Sequence, residues 1–293
     1  MRQLLRDAPS RALGFMTWAS ALRRHERPGG LTSLASRPGA APLRQDGRQP
    51  TVLCLHGYGG VPLEVQLGVE AAAAVGLAST APLLAGHGTF PKDTAGLRFD
   101  DWLAGVRVDF DRERAKGPVI LLGLSLGTLL ATALYLEAPA DVLGLVLLSN
   151  AFWLASPLPG LGLELVDRLG LPDFGMPKTA GPDLSDEEAR RTHLSYDPQP
   201  VHAAISVLRA GQRLQKQLHR IHCPTLLLHG AQDRVCPVAG AWKAAAEMND
   251  AEVRVVVFPR SHHILTRDVE ATQVGQEIQA FLRRLTSAPE RSA

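Results

Sequence analysis

Short apolar runs of strand length alternate along most of this chain with segments of helix length. The strand-like runs are residues 51–55, 77–81, 118–124, 142–148, 225–229 and 252–258. The helix-length segments are residues 63–75, 99–115, 126–138, 238–248 and 269–285. Strands that are apolar throughout and are separated by helices indicate a parallel sheet covered on both faces. The pattern therefore predicts an α/β fold built on a mostly parallel, doubly wound sheet.

The composition of the 293-residue chain narrows the classes of partner and compartment. Lys and Arg total 31 against 29 Asp and Glu, so the net charge of +2 gives no field that would attract nucleic acid. Cys54, Cys223 and Cys236 are too few for a disulfide scaffold and form no Cys-x-x-Cys pair. We therefore expect a globular protein of the reducing cytoplasm, a monomer or a small homo-oligomer, with no nucleic-acid partner.

Residues 1–50 are expected to form an extension ahead of the main domain. An apolar stretch within them places Phe15, Trp18 and Leu22 on one side of a short amphipathic helix. Such a helix packs on the body of the protein or makes peripheral contact with membrane lipids. The stretch is followed at once by two arginines, where an export signal would have small residues and a cleavage site. Residues 28–50 are rich in Gly, Pro, Ser and Arg, which predicts a linker or a hairpin.

The alternation of strands and helices in the main domain, residues 51–293, is interrupted over residues 150–220. This stretch has no convincing strand, begins with aromatic, Pro, Gly and Leu residues, and looks helical in its second half apart from two prolines. An insertion of this kind after a sheet strand is where a small cap would cover a pocket, so Phe152, Trp153 and Leu154 are predicted to contact substrate. The alternative is an irregular helical excursion that only covers core.

The strongest local motif is Gly-Leu-Ser-Leu-Gly at residues 123–127, between a predicted strand and a predicted helix. A sharp strand-to-helix turn crowds the backbone, so the flanking glycines relieve the clash while Ser125 is held in a strained, exposed position. The alternative is a glycine-rich turn of a nucleotide-binding fold, but the Gly-x-Gly-x-x-Gly and P-loop patterns do not occur in the sequence. Ser125 is therefore the candidate nucleophile.

A serine hydroxyl needs a general base, oriented in turn by a carboxylate, before it can act as a nucleophile. Asp233 lies in the loop after the predicted strand 225–229, and His262 and His263 lie in the loop after the last predicted strand. The carboxyl ends of parallel strands meet at one edge of a sheet, so both loops can reach Ser125. Adjacent histidines point in different directions, so one alone is expected to meet the serine; we favour His263 and keep His262 as the alternative.

The tetrahedral oxyanion that forms on such a serine needs at least two preorganised donors, and backbone N–H groups are the usual source. The N–H of Leu126 comes directly after the serine, and the second donor is expected from the glycine-rich loop after the first strand. Tyr58 is the candidate there. In the same loop, His56 is expected to brace the backbone through a hydrogen bond rather than to take part in catalysis.

With these residues identified, the chain resembles the α/β-hydrolase family, and within it the bacterial carboxylesterase and monoacylglycerol lipase group. The matching motifs are Leu-His-Gly-Tyr at 55–58, Gly-His-Gly at 86–88, Gly-Leu-Ser-Leu-Gly at 123–127, Gly-Ala-Gln-Asp-Arg-Val-Cys-Pro at 230–237 and Ser-His-His-Ile-Leu-Thr-Arg-Asp at 261–268. Their order, with Ser before Asp before His, is that of the family. In that group the last motif is similar to Ser-x-His followed five residues later by Asp, which implies His263 as the base. The resemblance also implies Tyr58 and Leu126 as the oxyanion donors.

The resemblance implies a serine hydrolase that cleaves carboxylic esters through an acyl-enzyme on Ser125. The apolar residues at the start of the insertion add the expectation of a medium-length or hydrophobic acyl chain held under the cap. The partner is then a small-molecule ester, and neither a cofactor nor a metal ion is needed. Alternatives that use the same three residues are a peptidase or amidase and an acyltransferase. A noncatalytic ligand-binding protein of this fold is disfavoured by the complete set of Ser, Asp and His.

Overall fold

The structure, a computed structural model, describes residues 39–155, 169, 173–176 and 181–287. The strands in these ranges are β1 (Leu43–Gln45), β2 (Arg48–Leu55), β3 (Leu77–Ala81), β4 (Val119–Leu124), β5 (Val142–Leu148), β6 (Gly175–Met176), β7 (Gln199–Pro200), β8 (Thr225–Gly230) and β9 (Val253–Phe258). The α-helices are α1 (Gln66–Ala74), α2 (Pro91–Thr94), α3 (Phe99–Arg114), α4 (Leu126–Glu137), α5 (Glu187–Thr192), α6 (Val201–Leu214), α7 (Ala239–Glu247) and α8 (Ala271–Ser287). The predicted N-terminal amphipathic helix lies outside the described residues.

Seven of these strands form one sheet in the order β1-β3-β2-β4-β5-β8-β9. β1 runs antiparallel to β3, and every other neighbouring pair in the sheet is parallel. The register keeps the carboxyl ends level, because Leu124 lies opposite Leu148 and Gly230 lies opposite Phe258. The predicted α/β fold with a mostly parallel sheet is therefore confirmed.

Both faces of the sheet are buried, because successive residues of its central strands are apolar whichever way they point. On one face, Leu53 and Leu121 pack in a core that includes residues of α3, α4, α6 and α7. On the other face, Val52 and Leu122 pack in a second core that includes residues of α1 and α8. The strand ends are therefore held between two packed layers, which fixes the positions of the residues that follow them.

The sheet begins earlier in the chain than the sequence predicts. Residues 28–50 are expected to be a linker or a hairpin, yet Leu43–Gln45 forms an edge strand and β2 starts at Arg48. Within β1, Arg44 and Gln45 are exposed, so the strand carries no run of apolar residues. It forms because β3 offers an edge with unpaired backbone groups, a feature of tertiary structure rather than of local sequence.

Between β5 and β8 the chain leaves the sheet, where the sequence predicts an insertion. The described part contains α5 and α6, which are separated by residues 193–200. Pro198 and Pro200, at which the sequence predicts an interruption, lie in this gap. β6 and β7 form a small antiparallel sheet in which Gly175 lies opposite Pro200. The prediction of an insertion without strands is therefore wrong in this detail. The strands were missed because two residues are too few to show an alternating apolar pattern.

A long uncharged stretch of the sequence, residues 118–136, is divided in the structure between β4, a tight turn and α4. Within the described ranges, no helix combines the length and the apolar character that crossing a membrane requires.

Candidate active site

The carboxyl ends of β4, β8 and β9 lie at one edge of the sheet and carry the three residues of the predicted triad. Ser125 follows β4, Asp233 lies in the loop after β8, and His263 lies in the loop after β9. The amide of Ser125 donates to the carbonyl oxygen of Leu148 at 3.0 Å, so the ladder between β4 and β5 continues as far as the serine. The level register of the sheet therefore holds the start of each loop at the same height.

Ser125 stands in a sharp turn between β4 and α4. Its φ of 53° and ψ of −116° form a conformation that residues other than glycine rarely adopt. The flanking glycines make the turn possible: a Cβ on Gly123 would lie 2.2 Å from the carbonyl oxygen of Gly127, and a Cβ on Gly127 would lie 1.9 Å from that of Leu55. The turn therefore has the strained geometry of a nucleophile elbow, packed directly against the end of β2.

Asp233 is oriented by contacts on both of its carboxylate oxygens. Oδ1 accepts the amides of Val235 and Cys236, each at 2.8 Å. Oδ2 lies 2.8 Å from Nδ1 of His263 and 3.2 Å from Nε2 of His229. Nε2 of His229 also lies 2.9 Å from the carbonyl oxygen of Cys236, and because both of its neighbours are acceptors, this nitrogen carries the proton. The carboxylate is thus locked in one orientation, with His263 as one of its partners.

The pair of Asp233 and His263 is buried and strongly polarised. Burial raises the pKa of Asp233, but the charges and hydrogen bonds of His263 and His229 outweigh this effect and lower the pKa below its ordinary value. Burial lowers the pKa of His263, but the charge of Asp233 outweighs it and holds the pKa well above 6.5. In the neutral imidazole, Nδ1 donates to Asp233, so Nε2 is the nitrogen that can accept a proton from a hydroxyl.

Cys236 completes a small cluster with Asp233 and His263, in which one donor atom of each residue lies within 4.8 Å of the others. Metal binding would require the thiolate form of Cys236 and would compete with the contact between Asp233 and His263. Burial raises the pKa of the Cys236 thiol, and Nδ1 of His263 already contacts Asp233. The chemistry of this donor set is that of a proton-transfer pair beside a neutral thiol, so it fits a metal ion poorly.

His262, the alternative base, lies in a different network. Its Nδ1 lies 2.7 Å from Oγ of Ser185, and its Nε2 lies 2.9 Å from Nη2 of Arg234. A guanidinium group can only donate, so Nε2 accepts and Nδ1 donates to the serine. Both ring nitrogens are therefore engaged away from Asp233, which favours His263 over His262 as the base.

The loop after β2 is held in place by hydrogen bonds of His56 and Glu64. Nε2 of His56 accepts the amide of Leu84 at 3.1 Å, and its Nδ1 donates to the carbonyl oxygen of Gly57 at 2.9 Å. The bracing role predicted for His56 is the one that the structure shows. The amide of Gly57 donates to Oε2 of Glu64 at 3.0 Å, so this N–H is occupied and Tyr58 provides the next amide along the loop.

The second predicted oxyanion donor, Leu126, is the first residue of α4. Its amide has no acceptor within the helix and lies at the positive end of the helix dipole. A Cβ built on Gly57 would lie 3.5 Å from Cβ of Ser125, so the loop after β2 lies against the elbow. Tyr58 and Leu126 are thus on the two segments that approach the candidate nucleophile most directly, and both remain candidate donors.

The three residues predicted to contact substrate differ in burial. Phe152 is 2% exposed and packs within the core on the α4 side of the sheet. Trp153 and Leu154 are partly buried against that core. The Trp153 ring lies 5.8 Å from Nζ of Lys243 on α7. Phe152 is thus a core residue, whereas Trp153 and Leu154 lie at the margin of the core near α7.

Sequence reasoning misses two residues that hold the acid and the base in place. Ser149 directly follows β5, has a φ of 47°, and donates its hydroxyl to the carbonyl oxygen of His263 at 2.7 Å. His229 belongs to the end of β8 and contacts Asp233. Both are polar residues at the carboxyl end of an otherwise apolar strand, and this signal, if followed at every strand, could have found them.

Residues 46–270, which include the elbow and both loops, match the sequence profile of the family described as serine aminopeptidase, S33. The chain is 27% identical over 249 residues to the thermostable monoacylglycerol lipase of Bacillus sp. (strain H-257), covering 84% of this chain and 95% of that protein. It is 21% identical over 246 residues to a carboxylesterase of Bacillus subtilis (strain 168), covering 83% and 96%. A solved structure described with two metagenome-derived lipolytic enzymes matches with a TM-score of 0.75 at 25% identity, covering 84% and 98%.

Proposed function

We propose that this chain, which belongs to the serine aminopeptidase S33 family of α/β-hydrolases, is a serine hydrolase that cleaves carboxylic esters. The observation that carries the proposal is the 2.8 Å contact between Oδ2 of Asp233 and Nδ1 of His263, at the sheet edge where Ser125 stands in a strained turn. Relatives that match over more than four-fifths of this chain are named monoacylglycerol lipase and carboxylesterase. Both names support an ester as the substrate.

In the proposed mechanism, Oγ of Ser125 attacks the ester carbonyl carbon while Nε2 of His263 takes the hydroxyl proton. Asp233 stabilises the imidazolium that forms, and the amides of Tyr58 and Leu126 hold the oxyanion. Collapse of the tetrahedral intermediate breaks the ester bond, and His263 passes its proton to the departing alcohol. The acyl group then remains on Ser125 until His263 deprotonates a water molecule, which attacks the acyl carbonyl carbon. Collapse of the second tetrahedral intermediate breaks the bond to Oγ of Ser125, releases the acid and returns the proton from His263 to the serine.

The proposed substrate has a hydrophobic acyl chain of medium length, accommodated beneath the insertion between β5 and β8. Support comes from the apolar residues that open this insertion, of which Trp153 and Leu154 are partly buried at the margin of the core. Pockets for such ligands are lined mainly by apolar and aromatic side chains. Equal turnover of acetate and octanoate esters would contradict this part of the proposal.

The experiment that tests the proposal is hydrolysis of p-nitrophenyl esters with acyl chains of two to sixteen carbons. Wild-type protein is compared with Ser125→Ala, and Ser287→Ala serves as the matched control because Ser287 is an exposed residue at the end of α8. Loss of the nucleophile is expected to reduce kcat by about four orders of magnitude or more, whereas the control keeps wild-type kcat. The chain length with the highest kcat/KM then measures the size of the acyl site.

Two results would contradict the proposal, the first by removing the role of Ser125 and the second by replacing the ester substrate. Equal activity in wild type and Ser125→Ala would show that another group is the nucleophile. Turnover of amino-acid amides by the wild type in the absence of ester turnover would favour an amidase, the activity suggested by the description of the family. In that case the same serine, acid and base would act on a nitrogen leaving group.

A further inference from the structure

A second buried carboxylate, Glu64, lies beside the candidate nucleophile and has no part in the mechanism above. Its side chain is 6% exposed, and its Oε2 accepts the amide of Gly57 at 3.0 Å. The Cβ position of Gly57 lies 3.0 Å from this oxygen and 3.5 Å from Cβ of Ser125. Glu64 thus stands directly behind the loop that is proposed to hold the oxyanion.

A negative charge at this place opposes the reaction unless it is compensated. Burial raises the pKa of Glu64, but His193, His56 and the amide of Gly57 outweigh burial and lower the pKa to about 2, so the group is a carboxylate at neutral pH. An unpaired buried charge is costly in itself, and a charge of the same sign as the developing oxyanion raises the energy of the transition state.

The side chain that faces the other oxygen of Glu64 comes from the insertion. His193 directly follows α5, is 1% exposed, and places Nε2 at 3.3 Å from Oε1. His56 is a weaker source of compensation, because its Nε2 accepts the amide of Leu84, so the ring is neutral and its one N–H donates to Gly57 rather than to Glu64. Burial also lowers the pKa of His56. His193 is thus the residue of the insertion whose ring faces Glu64, at ion-pair distance and outside hydrogen-bond geometry.

The segment after α5, residues 193–200, is joined to the loop after β2 by three hydrogen bonds, and each of them involves Tyr58 or the residue next to it. These bonds join the amide of Tyr196 to the carbonyl oxygen of Gly59 at 2.8 Å, the hydroxyl of Tyr58 to the carbonyl oxygen of Pro200 at 2.8 Å, and Nε2 of Gln199 to the carbonyl oxygen of Tyr58 at 3.5 Å. The position of the candidate oxyanion donor therefore depends on how this segment is seated.

We propose that His193 is a positioning residue for the oxyanion hole. By contacting Glu64 it seats residues 193–200 on the loop after β2 and turns the polar edge of its ring to the carboxylate behind that loop, so the donor at Tyr58 is in place only when the insertion is seated. The inference rests on the proposed function, since it concerns the oxyanion of the same reaction. It predicts that a residue of the insertion, remote from the triad in sequence, controls kcat rather than substrate affinity.

The test compares His193→Leu with His193→Gln in the full chain, with p-nitrophenyl butyrate as substrate. Leucine has no donor and leaves the Glu64 carboxylate buried and uncompensated, so kcat is expected to fall about tenfold or more while KM changes by less than about twofold. Glutamine retains an N–H donor and is expected to keep most of the wild-type kcat. Adding Glu64→Gln to His193→Leu removes the uncompensated charge but keeps an acceptor for the amide of Gly57, and is expected to restore kcat to within about threefold of wild type.

Thermal unfolding of each variant shows whether it is folded. If His193→Leu does not fold, His193→Asn takes its place, because asparagine is polar but too short to keep the contact with Glu64, and the same tenfold loss is expected. The inference is overturned if the folded variant used, His193→Leu or His193→Asn, keeps the wild-type kcat or shows only a higher KM. It is also overturned if adding Glu64→Gln gives no recovery of kcat.

Wild type and Ser125→Ala are measured in parallel to distinguish the two proposals. Ester turnover that is lost in Ser125→Ala but retained in His193→Leu overturns only the role of His193. A wild-type protein that hydrolyses no ester and does not react with a fluorophosphonate probe overturns both, since there is then no oxyanion hole for His193 to maintain.

Discussion

The hydroxyl of Ser149 donates a hydrogen bond of 2.7 Å to the main-chain carbonyl oxygen of His263. Ser149 directly follows β5, the strand beside the one that carries the elbow, and its φ of 47° turns its side chain toward the last loop of the site. The bond joins the middle of the sheet to the loop that follows the edge strand β9.

Loss of this bond is expected to displace the base. Ser149→Ala leaves the buried carbonyl of His263 without its donor, which is expected to lower the free energy of unfolding by about 1 kcal/mol and kcat by about tenfold. Ser149→Gly is the matched variant, because glycine adopts a positive φ without strain. Steady-state kinetics and urea unfolding measure both effects. Full kcat in either variant would show that the bond does not position His263.

His229 is expected to act through Asp233. His229→Leu removes a donor from Oδ2 of Asp233 and from the carbonyl of Cys236, so kcat is expected to fall by roughly tenfold to a hundredfold. More of the carboxylate charge then acts on His263, which raises its pKa and moves the acid limb of kcat/KM to higher pH. His229→Gln retains an N–H donor and is expected to show smaller changes in both quantities. A leucine variant with an unchanged pH profile would contradict this role.

The pH dependence of kcat/KM is expected to reflect the pair of Asp233 and His263. Burial lowers the pKa of His263, but the Asp233 carboxylate outweighs burial and raises that pKa well above 6.5. His263 must be neutral to accept the proton of Ser125, so kcat/KM increases as the pH rises through this pKa. A profile with a p-nitrophenyl ester is therefore expected to have an acid midpoint above 6.5.

Asp233→Asn provides the control for this profile. The substitution removes the charge that raises the pKa of His263, so the acid midpoint moves to lower pH, and kcat falls by about a thousandfold or more because the imidazole loses its orientation. An acid limb that stays at the same pH in Asp233→Asn would assign the titration to another group.

Substitution of the two adjacent histidines is expected to have very different effects. His263→Ala removes the base and is expected to lower kcat by about four orders of magnitude or more. His262→Gln disturbs the contacts of the ring with Ser185, Arg234 and Asp268, none of which belongs to the proposed triad. We therefore expect kcat to stay within a few fold of wild type while the unfolding midpoint falls slightly. Equal losses of kcat in the two variants would reopen the choice of base.

The thiols are expected to react slowly in the folded protein. Cys54 and Cys236 are fully buried, and burial raises the pKa of Cys223 to about 12. The thiolate is the reactive form, so all three thiols are expected to resist a disulfide reagent at pH 8 and to react together in denaturant. Rapid reaction of one thiol in the native protein would contradict this, and Cys236→Ala would show whether that thiol is the one beside His263.

The sequence predicts most closely the strands that are themselves short apolar runs. Residues 77–81 and 142–148 coincide with β3 and β5, because each is a short apolar run between turn residues. β1 and the two-residue strands of the insertion could not be predicted, since two or three residues are too few to show an apolar strand pattern. They are strands only because a partner strand lies beside them.

The candidate site shows the same division. Ser125, Asp233 and His263 can be found in the sequence, because each follows a predicted strand and parallel topology brings such positions to one edge. The position of Ser149 after a predicted strand marks it for attention, but its contact with His263 and the contact of His193 with Glu64 cannot be found in this way. They join side chains that are distant in the chain, and they depend on the exact seating of one element on another.

The proposed acid and base follow the last two strands of the sheet, β8 and β9, whereas the candidate nucleophile and the proposed oxyanion loop follow β4 and β2. A ribosome makes the amino-terminal half first, so the growing chain contains the elbow well before it contains Asp233 and His263. Until β9 pairs with β8, the serine has no base and remains an ordinary alcohol. The order of these elements along the chain therefore makes the proposed chemistry available only after the last two strands of the sheet have been synthesised.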